Sequence, residues 1–287
     1  MLDKDFLNLT RRRIPIITDK KDTHAAAGVK VNRESELFHE ELCCLNDLGL
    51  SVGSYYAATD GLNSPYNRPM SGALEKVYCR RSVATKLLQV DSFVKQFGLL
   101  LHVWDAFRAI ECQKALWGYF MEEAKTRLKN PSEQVCYDYV SKYCSDPNRF
   151  NPDDPSTWPT HITGGAIDLT LKRASTGELL FMGGIFDDTT EVSHTDYFER
   201  LAQQAIKQKS VALSPSNEEA LRNRRILYNA MVTQGFSNYA YEWWHYDWGN
   251  QFWIVNAPNN QGEQRPEKAY YGPATLKQPK ANLPTRV

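Results

Sequence analysis

The sequence predicts an α+β fold in which a central antiparallel sheet is flanked by helices. Two observations lead there. Helix-period segments and hairpin-type strand pairs fall in separate runs along the chain. The 287 residues suffice for a well-buried core, and no repeat or low-complexity block divides them. A hydrophobic content of 42% and an aromatic content of 12% are ordinary for a soluble globular enzyme.

Taken in order, residues 1–30 are polar and irregular apart from the apolar run at 14–17. Residues 34–48 place Leu37, Leu42 and Leu45 near helical spacing, so a helix is expected. Residues 81–97 read as an amphipathic helix ending at Gly98, and the apolar run 99–104 as a buried strand. Helices are expected over 111–129 and 132–143, split by Asn130-Pro131. Residues 145–159 are crowded with Pro and Asp and form a loop leading to His161. A hairpin follows, with strands 166–172 and 178–182 around a turn at 175–177. Helices are expected over 195–208 and 217–234. The second would open with a Ser216/Glu219 capping box and close at Gly235. Aromatic-rich strands are expected at 239–244 and 251–256, then a Pro-rich, poorly ordered tail from 272. The chain is read as an N-terminal extension (1–50) packed on or preceding a domain (51–273), with a C-terminal tail (274–287).

Charge narrows the function classes. Lys plus Arg and Asp plus Glu each number 34, a balance that argues against a nucleic-acid or anionic-membrane partner. No apolar run has membrane-spanning length, and the N-terminus has no signal-peptide core. The six cysteines form no C-x-x-C pair, so they support neither a disulfide scaffold nor thiolate ligation of zinc. A reduced cytoplasmic protein acting on a small molecule is the expectation; a trimmed signal would make it periplasmic.

Two stretches carry chemistry. In THITGGAIDLTL (160–171), His161 and Asp168 stand seven residues apart. Fully extended, that spacing separates them by about 23 Å, at roughly 3.3 Å per residue. To share a metal the chain must fold back, and Gly164-Gly165 allows it. A chance His and Asp beside a Gly-Gly turn would look the same. In YEWWHYDW (241–248), Glu242 and His245 are three apart, and the aromatic run favours a strand. A flat strand would point them to opposite faces, so the strand must twist or end near His245 if both are to reach one metal. The alternative is an aromatic core strand with a satisfied His and a surface Glu. Together the stretches offer two imidazoles and a carboxylate suited to Zn²⁺, with one coordination place left for water. Glu242 is then the non-ligating carboxylate that a zinc hydrolase uses as base.

At these residues the sequence resembles the D-alanyl-D-alanine dipeptidases. These are vancomycin-resistance-type zinc enzymes within a wider group of peptidases acting on cell-wall peptides. The first family pattern reads here P-T-His161-I-T-Gly164-G-Ala166-I-Asp168-L-T-L, and the second Glu242-W-Trp244-His245-Y. The resemblance implies one zinc held by His161, Asp168 and His245, with Glu242 as base. HVWDAFRAIE (102–111) resembles the segment that carries the family's catalytic arginine, implying that Arg108 stabilises the oxyanion. Read without the family, WDAFR is a helix start with an Asp105–Arg108 ion pair. GGIFDD (183–188) implies Asp187 at the substrate amine, and YYAATDGLNS (55–64) implies Tyr56 near the substrate. His194, near Asp187 along the chain, is a candidate pocket-lining residue. His102 is expected to be a satisfied core residue, and His24 and His39 to lie at the surface.

The resemblance spans about 52 to 273 and has departures. Pro159 replaces a Ser two before the first His, Ala109 replaces a Pro after the arginine, and Gly61-Leu62 replaces Asn-Phe. The reaction implied is zinc-dependent hydrolysis of D-alanyl-D-alanine or a similar dipeptide with a free amino terminus. The alternatives are a zinc D,D- or L,D-carboxypeptidase or amidase of the cell wall, and a non-catalytic zinc-binding relative.

Overall fold

The structure, a computed structural model, describes residues 2–208, 212–256 and 266–276. Seven strands are present among the described residues: β1 Leu42–Cys44, β2 Ser51–Val52, β3 Tyr78–Arg80, β4 Leu99–Asp105, β5 Ala166–Arg173, β6 Ser237–Asn238 and β7 His245–Asp247. The helices are α1 Leu2–Arg11, α2 Arg81–Lys95, α3 Ile110–Arg127, α4 Glu133–Val140, α5 Tyr197–Lys207, α6 Pro215–Thr233 and α7 Gln251–Val255. The fold is α+β, as expected. Five strands form the central sheet in the order β2-β4-β5-β7-β6, and β1 and β3 form a separate antiparallel ribbon. The sheet is antiparallel except at one edge, where β2 runs parallel to β4.

Strand β5 shows how pattern fixes position. Ile167, Leu169 and Leu171 alternate into the main hydrophobic core, and each is fully buried. Burying each contributes roughly 1.5–3 kcal/mol. Asp168 and Thr170 therefore face the other side. A slip of one residue would drive Asp168 into the core, so the apolar triplet sets the carboxylate's register.

Several local expectations give way to tertiary contacts. Residues 34–48 are not one helix: 42–44 pair with 78–80 and 45–48 form a 3₁₀ turn. Strand pairing, with Leu45 fully buried, outweighs a weak helical preference there. The extension is less irregular than expected, since Leu2–Arg11 is helical. The 178–182 partner reduces to a single bridge, Lys172 to Leu179. Helix α6 opens at Ser214, whose hydroxyl accepts from the Asn217 N–H, two residues before the expected cap. Pro215 explains the shift, because its fixed φ and missing N–H suit a first helical turn. Residues 251–255 are a helix rather than a strand, because the Asn250 side chain caps it by accepting from the Trp253 N–H. The tail at 272–276 docks rather than straying, with the Ala274 N–H bonded to the Ile162 carbonyl at 2.7 Å; the expected disorder of 277–287 lies outside the described residues. No helix among the described residues is long and apolar enough to cross a membrane.

Candidate active site

Three strands bring the site together. The pairing sets Asp105 of β4 opposite Asp168 of β5, and Asp168 opposite His245 of β7, so the three form one cross-strand row. His161 arrives from the 3₁₀ turn Thr160–Thr163. Gly164, at φ +71°, reverses the chain into β5. A Cβ on Gly165 would come within 2.6 Å of the Trp248 carbonyl, so both glycines are required by space or by angle. Arg80, buried beneath this turn, donates to the carbonyls of Thr163, Glu40 and Gly272 and holds it in place.

The spacing problem between Glu242 and His245 is resolved because β7 begins only at His245. Residues 239–244, expected as a strand, form turns closed by Glu242 N–H to Tyr239 O and His245 N–H to Glu242 O. Asn238 braces them by donating to the carbonyls of Glu242 and His245.

His161, Asp168 and His245 offer ligand atoms that all lie within 4.8 Å of one another, and all three residues are buried. His161 Nε2 is 3.3 Å from His245 Nδ1 and 3.4 Å from an Asp168 oxygen, and His245 Nδ1 is 3.0 Å from the other Asp168 oxygen. Ligands about 2.0–2.1 Å from a tetrahedral ion stand about 3.3 Å apart. The outer nitrogens are committed elsewhere. His161 Nδ1 donates to the Ala106 carbonyl at 2.7 Å, and His245 Nε2 donates to Asp247 at 3.1 Å. Asp247 is in turn held by Thr160 and Asn250. These outer bonds leave both inner nitrogens facing one point, the arrangement that orients imidazole ligands.

Electrostatics agree. Burial, then Arg108, holds His161 well below the ordinary imidazole pKa, leaving it neutral with a lone pair on Nε2. Burial also opposes charge on His245, yet Asp247 and Asp168 hold its pKa well above the ordinary value. The cluster therefore calls for a cation beside His245 Nδ1, either a proton or a metal ion. Asp105, Asp168, Asp187 and Glu242 here face a single guanidinium, Arg108, and a divalent ion offsets that excess. The residues present fit a metal ion.

Glu242 lies beside this centre, its carboxylate 3.7 Å from His245 Nδ1. Burial, then Asp168 and Asp187, pushes its pKa well above the usual range. Arg108 is 8% exposed and fixed by four bonds: Nε to Asp105, one terminal nitrogen to Gln113, and the other to Tyr56 and Asp168. The ion pair that was the alternative reading of WDAFR thus coexists with a place in the site. Asp187 accepts from the hydroxyls of Tyr56 at 2.9 Å and Tyr66 at 2.8 Å, and burial, then Asp168, pushes its pKa up to about 7.

His161, Asp168, His245, Glu242, Arg108, Tyr56 and Asp187 line one cavity with Tyr239, Phe252 and Thr23. His194 is not on that wall; its ring packs against Tyr241 and its Nδ1 faces Arg200. His102 bonds Ser51 in the core, and His24 and His39 are exposed. Sequence reasoning missed Asp247, Tyr66 and Thr23. Asp247 had a signal, since it shares a strand face with His245 two residues away. Tyr66 and Thr23 had none, because only tertiary packing brings them in.

Comparison with known proteins agrees with this geometry. A family model described as D-ala-D-ala dipeptidase, of peptidase family M15, matches residues 48–262. The chain is 28% identical to the D-alanyl-D-alanine dipeptidase of Enterococcus faecalis over 69% of its own length and 85% of that protein. It is 29% identical to that of Enterococcus faecium over the same shares, and 28% identical to that of Synechocystis over 59% and 67%. With the match covering most of the chain and a buried His-Asp-His cluster at its centre, the chain belongs to the M15 family of D-Ala-D-Ala dipeptidases.

Proposed function

We propose that the protein is a zinc dipeptidase that hydrolyses D-alanyl-D-alanine or a similarly short dipeptide with a free amino terminus. The observation that carries this reading is the convergence of His161, Asp168 and His245 with the non-ligating Glu242 carboxylate 3.7 Å away. His161, Asp168 and His245 would hold the zinc, which would supply Lewis acidity and lower the pKa of a water toward neutrality.

The chain's own residues do the rest. Glu242, beside the centre and with its carboxyl pKa raised by burial, takes the proton of the attacking water and delivers it to the leaving amine. Arg108, held rigid by its four partners, presents positive charge to the carbonyl oxygen as it becomes an oxyanion. Asp187, fixed by two tyrosine hydroxyls, pairs with the substrate ammonium. A carboxylate paired with the substrate amine selects a free amino terminus and disfavours a chain extended at that end.

The test is a substrate panel with metal analysis. D-Ala-D-Ala should be cleaved, while N-acetyl-D-Ala-D-Ala and a pentapeptide should be poor substrates. Glu242→Gln should keep one zinc per chain and lose about 100- to 10,000-fold in kcat. Cleavage of only the pentapeptide would overturn the dipeptidase reading, and full activity of Glu242→Gln would overturn the base.

A further inference from the structure

The family match begins at residue 48, yet Thr23 lines the active-site cavity. The segment that carries Thr23 is firmly attached. Asp22 caps the 3₁₀ turn Thr23–Gly28 by accepting from the His24 N–H. The Thr23 N–H and hydroxyl both donate to the Ser141 carbonyl after α4. Gln251 of α7 donates to the carbonyls of Ala26 and Val29, and Ala26 packs into one cluster with Tyr239 and Phe252. Upstream, the Ile14 N–H bonds Glu199 and Lys20 pairs with Asp196 at 2.9 Å. Several buried bonds at both ends make this a wall rather than a loose flap.

Its place relative to the site follows from a chain of contacts. On one side of the metal centre, Asp168 leads through Arg108 and Tyr56 to Asp187. On the other, the His245 ring lies 5.8 Å from that of Tyr239, which packs with Phe252 and Ala26. Asp187 is thus reached from the centre through Asp168, and the Thr23 turn through His245. A dipeptide with its amine at Asp187 and its scissile carbonyl at the centre extends its C-terminal residue toward the Thr23 end. Arg108 is the only Lys or Arg among the described residues on the cavity wall, so the Thr23 end discriminates by shape.

We propose that Thr23, seated by the segment 22–29, lines the leaving-group side of the cavity and sets the size of the C-terminal residue the enzyme accepts. The proposal rests on the dipeptidase reading for the orientation of the substrate. It makes the N-terminal segment a specificity element added to the family domain.

The test compares two dipeptide series in the full chain. One varies the C-terminal residue (Gly, D-Ala, D-Val, D-Leu) behind a constant D-Ala; the other varies the N-terminal residue in front of one. Thr23→Ala should raise kcat/KM for D-Ala-D-Leu relative to D-Ala-D-Ala by about 10-fold, the low end of what one methylene in a pocket is worth. It should leave the N-terminal series unchanged. His24→Ala, whose side chain is exposed, should keep wild-type selectivity. An unchanged C-terminal series in Thr23→Ala, or an equal shift in both series, would overturn the wall. Wild-type turnover of D-Ala-D-Ala tests the dipeptidase reading on its own. Calorimetric affinities of the same peptides for Glu242→Gln, with and without Thr23→Ala, read the wall without turnover: a shift confined to the C-terminal series supports it, and none overturns it.

Discussion

The two ends of the cavity are built from different materials. At the Asp187 end a half-buried carboxylate is gripped by Tyr56 and Tyr66 and linked to Arg108 through Tyr56. At the Thr23 end, Thr23, Tyr239 and Phe252 present uncharged side chains, with Ala26 packed against the two rings. One end recognises a charge, and its energy falls with every hydrogen bond it loses. The other recognises a size, and its selectivity depends on a few atoms of packing. A small zwitterionic substrate needs both, since charge alone would admit any free amine and shape alone would bind weakly.

Arg108 stands between the two, and its replacement should outweigh a change at either end. Arg108→Lys keeps the positive charge but cannot reproduce the fork that reaches Asp105, Gln113, Tyr56 and Asp168 together. The expected result is a loss of about 100- to 1000-fold in kcat with zinc content unchanged. A loss confined to KM would move Arg108 out of the centre and into the amine-binding end.

Asp187 comes next. Asp187→Asn should raise KM by roughly 10- to 100-fold, the value of a hydrogen bond to a charged group, with a smaller change in kcat. The pH profile sharpens the point. Burial pushes the Asp187 pKa up to about 7, so the carboxylate is anionic above that pH and neutral below it. A dipeptide amine loses its charge above about 7.7–8.0. The pair exists between these limits, and kcat/KM should be bell-shaped, falling on the acid side as Asp187 is protonated. In Asp187→Asn the acid limb at about pH 7 should disappear. Its persistence would mean that another group, Glu242 above all, sets that limb.

The same contrast explains what the sequence revealed. The His161–Asp168–His245 cluster was legible because it rests on short-range pattern. Ile167, Leu169 and Leu171 fix which way Asp168 points, and a glycine pair returns the chain to His161. Where one local preference competed with another, reading failed: the aromatic run 239–244 became turns, and Asn250 made a helix of 251–255. The substrate ends were hardest. Thr23 is 118 residues from Ser141, the partner that seats it, and Tyr66 is 121 from Asp187. No periodicity carries such contacts. Asp247 was within reach, two residues past His245 on the same strand face, and escaped only because an outer hydrogen-bond partner has no spacing signature of its own.

Tyr66 gives the smallest effect and the finest test of the charged end. Its hydroxyl donates to the Asp187 oxygen that also accepts from Tyr56, and Tyr56 is further tied to Arg108. Tyr66→Phe therefore removes one of two donors while the ring contacts with Tyr56 and Tyr119 remain. Losing a donor to the anionic form raises a carboxyl pKa. The acid limb of kcat/KM should move to higher pH, and KM at neutral pH should rise by no more than about 10-fold, the lower figure for a bond to a charged group. Because Tyr66 acts through Asp187, the same change made in Asp187→Asn should add almost nothing. A fall in kcat at constant KM, or a full additive penalty in the double variant, would show that Tyr66 works on the reacting centre itself and that the charged end is not a self-contained grip.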